Sequence, residues 1–370
     1  MSRPGPQNWL LLGLALLITI IGLVSIWSAQ IGLIGADSTN YAKRQLIFMG
    51  LGVVAYGVIG LIPLRWILRA AFPIWLFALI SLIAVLVIGE NNFGATRWID
   101  LGPIDWQPSE SAKLALIVCG AAWLPWLVRT FGDIWAAVLL AAIDLPLLVL
   151  TLIEPDLGTT LAMASILLAH IVAGPLSLRK VGPLLAAVII IVPLAGYPML
   201  HDYQRQRIHT FLHPELDAQG SGYQVIQSKI AIGSGGLFGK GLGKGSQNRG
   251  GFIPGQHTDF IFTVIGEEGG LVGAIGLLLA YAVLYGYLIL LAMTVGNVHS
   301  SLIITGVVAL LAVQTLVNLA MTIGQAPVTG IPLPFMSYGG SALLHTYMAL
   351  GAVNAAVRYG GQSAEFARGL

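Results

Sequence analysis

The sequence predicts an all-α integral membrane protein: a polytopic bundle of about ten transmembrane helices, with a long extracytoplasmic loop between the seventh and eighth. Three observations carry this. The 370 residues include only 18 Lys and Arg and 16 Asp and Glu, 9% of the chain, where a soluble domain carries roughly 25%. Hydrophobic residues make up 56%, more than a soluble fold can hide with so few charged side chains to cover its surface. Apolar runs recur from end to end, so residues 1–370 read as one membrane domain with an outer loop over about 201–259. The same figures exclude a disordered chain. One cysteine, Cys119, excludes an internal disulfide framework, and a net charge of +2 offers no general field for nucleic acid.

Spans are expected at 8–28, 46–63, 71–89, 112–128, 133–153, 157–174, 181–200, 262–293, 300–323 and 338–357. The first follows Arg3, but its apolar core exceeds the roughly 7–15 residues of a signal peptide and no A-x-A site follows, so it is expected to stay as a helix. Ten spans put both termini on one side. With the termini inside, the inner segments hold Arg3, Arg65, Arg69, Arg129, Arg179, Lys180, Arg358 and Arg368 against Asp133 and Glu365 alone. The outer segments hold ten Lys and Arg against thirteen acids. Cations collect on cytoplasmic loops, so cytoplasmic termini and a bacterial inner-membrane location are expected.

The polar residues gather in two outer segments. In the longer, Tyr223–Ile232 has the spacing of an amphipathic interfacial helix. The tract GSGGLFGKGLGKGSQNRGG, 233–251, follows it. Its glycines could turn amides toward a diphosphate while Lys240, Lys244 and Arg249 add charge. A flexible loop whose cations merely solvate it or touch anionic lipid explains it equally well. Walker A fails, because neither Gly-Lys pair is followed by Ser or Thr. In the shorter segment, 89–113, Arg97-Trp98 and Trp106 read as interfacial anchors. Glu110 and Lys113, three apart where a span begins, suit either a structural ion pair or a site.

Other ionisable residues sort by depth. Glu154-Pro155-Asp156 forms an outer turn with Asp156 placed to cap the next helix. Asp144 lies within a span and is expected protonated or hydrogen-bonded. His170 and His345 lack metal-ligand spacing, and Cys119 reads as a small hydrophobe. Asp259 stands out: the long loop re-enters the membrane there, before Phe260-Ile261-Phe262. Partial desolvation would raise its pKa and suit it to general-base work; capping a helix that starts at Phe260 is the competing role. Glu267-Glu268 could extend that acidic edge, and glycines at 266, 269, 270, 273 and 276 permit close helix packing.

These residues form an ordered series: Lys43-Arg44-Gln45; Arg97-Trp98 with Gln107-Pro108-Ser109-Glu110 and Lys113; Glu154-Pro155-Asp156-Leu157-Gly158; and the 227–245 tract. His257-Thr258-Asp259-Phe260-Ile261-Phe262 with Glu267-Glu268 follows, then GIPLPF at 330–335 and SYGGS at 337–341. Over nearly its whole length the chain resembles the SEDS family of bacterial cell-wall proteins (shape, elongation, division, sporulation), and its short termini look more like the rod-elongation branch than the division branch. The resemblance implies ten transmembrane helices and a peptidoglycan glycosyltransferase acting on lipid II, with the family's catalytic aspartate at Asp259. Arg44, Arg97, Lys113, Lys240 and Lys244 are then candidates to hold the departing diphosphate, with Glu110 orienting Lys113 or an acceptor. A divalent cation such as Mg2+ could share that task, though no dense carboxylate cage is visible. The implied partners are a class B penicillin-binding protein, docking on the start of span eight or on span nine near Gln314 and Asn318, and membrane lipid. The alternatives are a lipid II flippase and a non-catalytic scaffold for a transpeptidase.

Overall fold

In a computed structural model of the chain, residues 5–31, 40–92, 95–100, 102, 105–196, 202–214, 217 and 220–360 are described. In order they form α1 (Trp9–Ile31), α2 (Asn40–Leu61), α3 (Leu64–Arg69), α4 (Ala71–Ile88), β1 (Glu90–Asn92), β2 (Ala95–Asp100) and β3 (Asp105–Trp106). Then come α5 (Pro108–Phe131), α6 (Asp133–Ile153), α7 (Leu157–Ala173), α8 (Leu178–Gly196), α9 (Asp202–Leu212), α10 (Ser221–Ser234) and α11 (Ser246–Arg249). The chain closes with α12 (Phe262–Thr294), α13 (Val298–Thr322) and α14 (Gly340–Tyr359). Among the described residues, each predicted span overlaps an apolar helix, with residues 197–200 of the seventh lying outside them. Seven are long and apolar enough to cross a bilayer by length and composition, and α7 is a shorter apolar helix. The protein is a multi-pass membrane protein. Arg3, Glu365 and Arg368, used in the charge argument, lie outside the described residues.

Four helices, α2, α5, α8 and α13, begin earlier than predicted, and the extensions of α2 and α5 matter. α2 starts at Asn40 and takes Tyr41, Arg44 and Gln45 into its first turns. α5 starts at Pro108, where a missing N–H costs nothing, and carries Glu110 and Lys113 as buried helical residues. Hydropathy undercounts such turns, because their polar side chains face protein rather than lipid.

The segment 89–113, read from sequence as a loop with membrane anchors, instead contains an antiparallel sheet in the order β1-β2-β3. Trp98 pairs with Glu90, and Ile99 with Trp106. This places Arg97 on a strand that reaches across to the α6–α7 turn.

α13 forms the centre, packing against α5, α7, α12 and α14. Close approach is possible because Gly120 has no side chain: a Cβ there would lie 2.0 Å from the buried His170 ring. At one end, the Arg358 guanidinium donates to the carbonyls of Gly5 and Gly60, both at 2.8 Å, tying the N-terminal segment and α2 to α14. The opposite end carries the loops that build the site.

Candidate functional site

Asp259 sits on a loop that two other segments hold in place. The Ser337 hydroxyl donates to the Thr258 carbonyl at 2.6 Å, and the Tyr338 amide donates to His257 O at 2.9 Å. From α13, the Asn318 amide nitrogen donates to the Asp259 carbonyl at 2.8 Å and to Ile331 O at 2.7 Å. From α2, Gln45 donates to Ser337 O at 2.9 Å, and Tyr41 stacks on His257 with ring centroids 4.4 Å apart. Phe260 and Ile261 are buried below. The 330–339 segment has prolines at 332 and 334, and its Pro334 carbonyl is taken by the Tyr281 hydroxyl at 2.5 Å. Irregular backbone at the membrane surface is stable when its polar groups are met in this way.

α12 starts at Phe262 with Ile261 as its cap, so Asp259 is not its N-cap. The carboxylate is half-buried, and no donor to it is found among the described residues. Gly330 forms one wall: with φ at +76°, a Cβ added there would lie 3.5 Å from Asp259 Oδ2. Burial is the main cause that pushes the Asp259 pKa from 3.8 up to about 6. The Arg207 and Arg97 charges pull it down, while Asp156 pushes it up.

Those three charges define the surroundings. Arg97, from β2, donates through Nε to Glu154 O at 3.1 Å and through Nη2 to Pro155 O, with Nη1 4.0 Å from Asp156 Oδ2. Asp156 caps α7 as expected, accepting from the Thr159 amide at 3.0 Å and the Thr159 hydroxyl at 2.9 Å. Glu154 is fully buried and neither carboxyl oxygen has a partner among the described residues. Its pKa rises to about 8, from burial first and then the Asp156 charge, against the pull of Arg97, so the group is mostly neutral at pH 7. Arg207, on α9, donates to Val328 O at 2.9 Å. Sequence reasoning missed it, because nothing within the long loop distinguishes Arg207 from its neighbours.

The other expected residues fall in separate places. Glu110 and Lys113 form a buried ion pair at 2.7 Å. Glu110 also lines a narrow cleft with Gln314, Pro332, Phe335 and Thr346. Arg44 is exposed on the first turns of α2, beside Tyr41 and Gln45. Lys240 pairs with Glu267 at 2.7 Å, and Lys244 is exposed.

Glu267 and Glu268 do not extend the acidic edge. Glu267 accepts from Lys240, from Ser246 at 3.2 Å, and from the amides of Gln247 at 2.9 Å and Asn248 at 3.0 Å. Glu268 accepts from Ser28 at 2.6 Å, the Gly243 amide at 2.9 Å and Asn248 Nδ2 at 2.6 Å. Amides of the glycine tract thus turn toward the protein's own carboxylates. Among the described residues, no three His, Cys, Asp or Glu side chains converge as a metal site.

Fold and site together define a polytopic membrane protein that holds a partly accessible carboxylate, Asp259, near Arg97 and Arg207 at a loop-covered end of its bundle, with no donor to it among the described residues. The FtsW/RodA/SpoVE family, described as cell cycle protein, matches residues 8–360, and the chain belongs to that family. It is 38% identical to the peptidoglycan glycosyltransferase MrdB of Escherichia coli K12, over 90% of this chain and 88% of that one. Among solved structures it is similar to a chain described under structural coordination of polymerization and crosslinking by a peptidoglycan synthase complex. That match has a TM-score of 0.81 and 35% identity, over 96% of this chain and 99% of that one. It is also similar to the rod shape determining protein RodA of Thermus thermophilus, at TM-score 0.71 and 31% identity, over 95% and 98% of the two chains.

Proposed function

We propose that this chain is a peptidoglycan polymerase that joins lipid II units into glycan strands during cell elongation, with Asp259 as the general base. The observation that carries the base assignment is a half-buried carboxylate with a pKa of about 6 and no donor to it among the described residues. At neutral pH it is ionised and basic enough to accept a proton. In the reaction, the acceptor sugar's 4-hydroxyl oxygen attacks the anomeric carbon of the donor. The new C–O bond forms as the bond from that carbon to the lipid diphosphate breaks. The hydroxyl proton passes to Asp259, and the diphosphate leaves with the bonding electron pair.

Cations at the site stabilise the departing charge. Arg97 and Arg207 lie near enough to lower the Asp259 pKa, and exposed Arg44 suits the approach of a diphosphate. Lys113 and Lys240 are engaged by Glu110 and Glu267: the first pair lies within α5, and the second ties the glycine tract to α12. The site lies on the outer face of the cytoplasmic membrane and both termini are cytoplasmic. This orientation is supported by Arg65, Arg69, Arg129, Arg179, Lys180 and Arg358 on the short segments of one side. A class B penicillin-binding protein is the proposed partner, which fits the similarity to a synthase complex that couples polymerization with crosslinking.

A lipid flippase is the second reading, resting on Asp144, a carboxyl fully buried in α6 without a partner among the described residues. Purified protein in detergent, supplied with lipid II, separates the two. Polymer from wild type and none from Asp259→Ala supports the polymerase; unchanged polymer from Asp259→Ala rejects the base assignment. In vesicles, lipid flipping without polymer from either form favours transport.

A further inference from the structure

The glycine tract leaves one group of side chains unexplained. Leu237, Phe238 and Leu242 are 62%, 81% and 58% exposed, although each follows or precedes a glycine whose amide or carbonyl is bound. The tract lies along α12. Gly236 O and Leu237 O accept from the Leu271 and Val272 amides at 2.9 and 3.1 Å, and the Lys240 and Gly241 amides donate to Glu267 O and Glu268 O at 3.0 Å. The chain can insert here because α12 breaks at Gly270, whose φ of +62° frees the neighbouring backbone groups. The three apolar side chains therefore lie next to the exposed apolar strip of α12, where Leu271, Val272 and Ile275 are also exposed.

Depth follows from α1. Ser28, bonded to Glu268 and to the Gly243 amide, lies about 28 Å along α1 from Trp9 at 1.5 Å per residue. A hydrocarbon core is about 30 Å thick, so the tract sits at its edge, level with exposed Trp27. Backbone at that depth must have its polar groups satisfied from within the protein. The carboxylates and carbonyls of Glu267 and Glu268 do so for five amides between Lys240 and Asn248.

We propose that the 236–244 segment is a membrane-interface anchor: Leu237, Phe238 and Leu242 enter the acyl region of the adjacent leaflet, and Lys244 meets its phosphates. The occupant of this surface is lipid, because the patch is continuous with a transmembrane helix face and ends in a cation, as interfacial anchors do. The segment formerly readable as a diphosphate cradle is then a foot that fixes the loop, and Asp259 beyond it, at a set height above the bilayer.

The test places a nitroxide at Phe238→Cys, and separately at Leu242→Cys, in the full chain reconstituted in phosphatidylethanolamine–phosphatidylglycerol vesicles. Cys119 is buried and stays unlabelled in the folded protein. Val283→Cys on the exposed face of α12 is the lipid reference, and Asp100→Cys on the exposed edge of β2 is the water reference. The ratio of oxygen to nickel-chelate accessibility at 238 and 242 should exceed that at 100 by at least about threefold, as for apolar groups removed from water. A ratio equal to that at 100 overturns the proposal. Exclusion of both reagents also overturns it, since another polypeptide would then cover the patch.

Discussion

Asp259 and Glu267 stand eight residues apart around the start of α12, and the fold treats their carboxylates in opposite ways. Glu267 is buried and takes one ammonium, one hydroxyl and two backbone amides. Asp259 is half-buried, and no donor to it is found among the described residues although two arginines lie near. A carboxylate saturated with donors is stabilised as an anion and is a poor base; one that has lost water without gaining donors is a better one. Proximity to the site is thus a weak guide to role. What a carboxylate already holds matters together with access: Glu154 also lacks donors among the described residues but is fully buried, whereas Asp259 is open in part.

Substitutions at six positions test that contrast. The largest expected effect on turnover is at Asp259→Asn, which keeps the shape and removes the base. Polymerisation should fall by about 10²–10⁴-fold, measured as glycan formed from lipid II, with the fold intact. The same substitution has a stability signature. The native pKa of about 6 lies above the unfolded value, so the native state binds the proton more tightly. Stability is therefore lost as pH rises from about 4 to about 6. Asp259→Asn should melt above wild type at pH 7.5 and together with it below pH 4.

Lys113→Met strands the buried Glu110 charge and should cost about 3–5 kcal/mol, while Glu110→Gln combined with Lys113→Met recovers most of the loss. Denaturant unfolding in detergent reads both. Glu267→Gln keeps the volume but weakens the charge-assisted bonds to the tract, at a cost of about 1–3 kcal/mol. Amide exchange over 240–248 should rise, with polymerisation falling far less than in Asp259→Asn; an equal fall in turnover would erase the contrast. Arg207→Gln is expected to have the smallest effect, moving the acid limb of the pH–rate profile upward because a charge that holds Asp259 down is gone. Asp156→Asn should move it downward.

The helical framework was legible because lipid imposes it: a span must be about 20 residues of apolar chain, and every long run became a helix. The β-sheet was not, since two- to six-residue strands with Gly102 between them resemble an anchored loop. Asp259 is legible as a candidate from its position between a polar loop and an apolar run. Its neighbours were harder. Arg207 comes from α9, Asn318 from α13 and Tyr41 from α2, joined by folding alone. The glycine tract misled in an instructive way: its composition announced amides ready for an anion, and the anions proved to be Glu267 and Glu268.

The central claim is that loss of water without compensating donors makes Asp259 the proton acceptor, and the initial rate of lipid II polymerisation measured from pH 5 to pH 8 tests it most directly. The account predicts a rate that rises tenfold per unit at the acid end and levels off above a break near pH 6. A rate independent of pH across that range, or a break near pH 4, would contradict it.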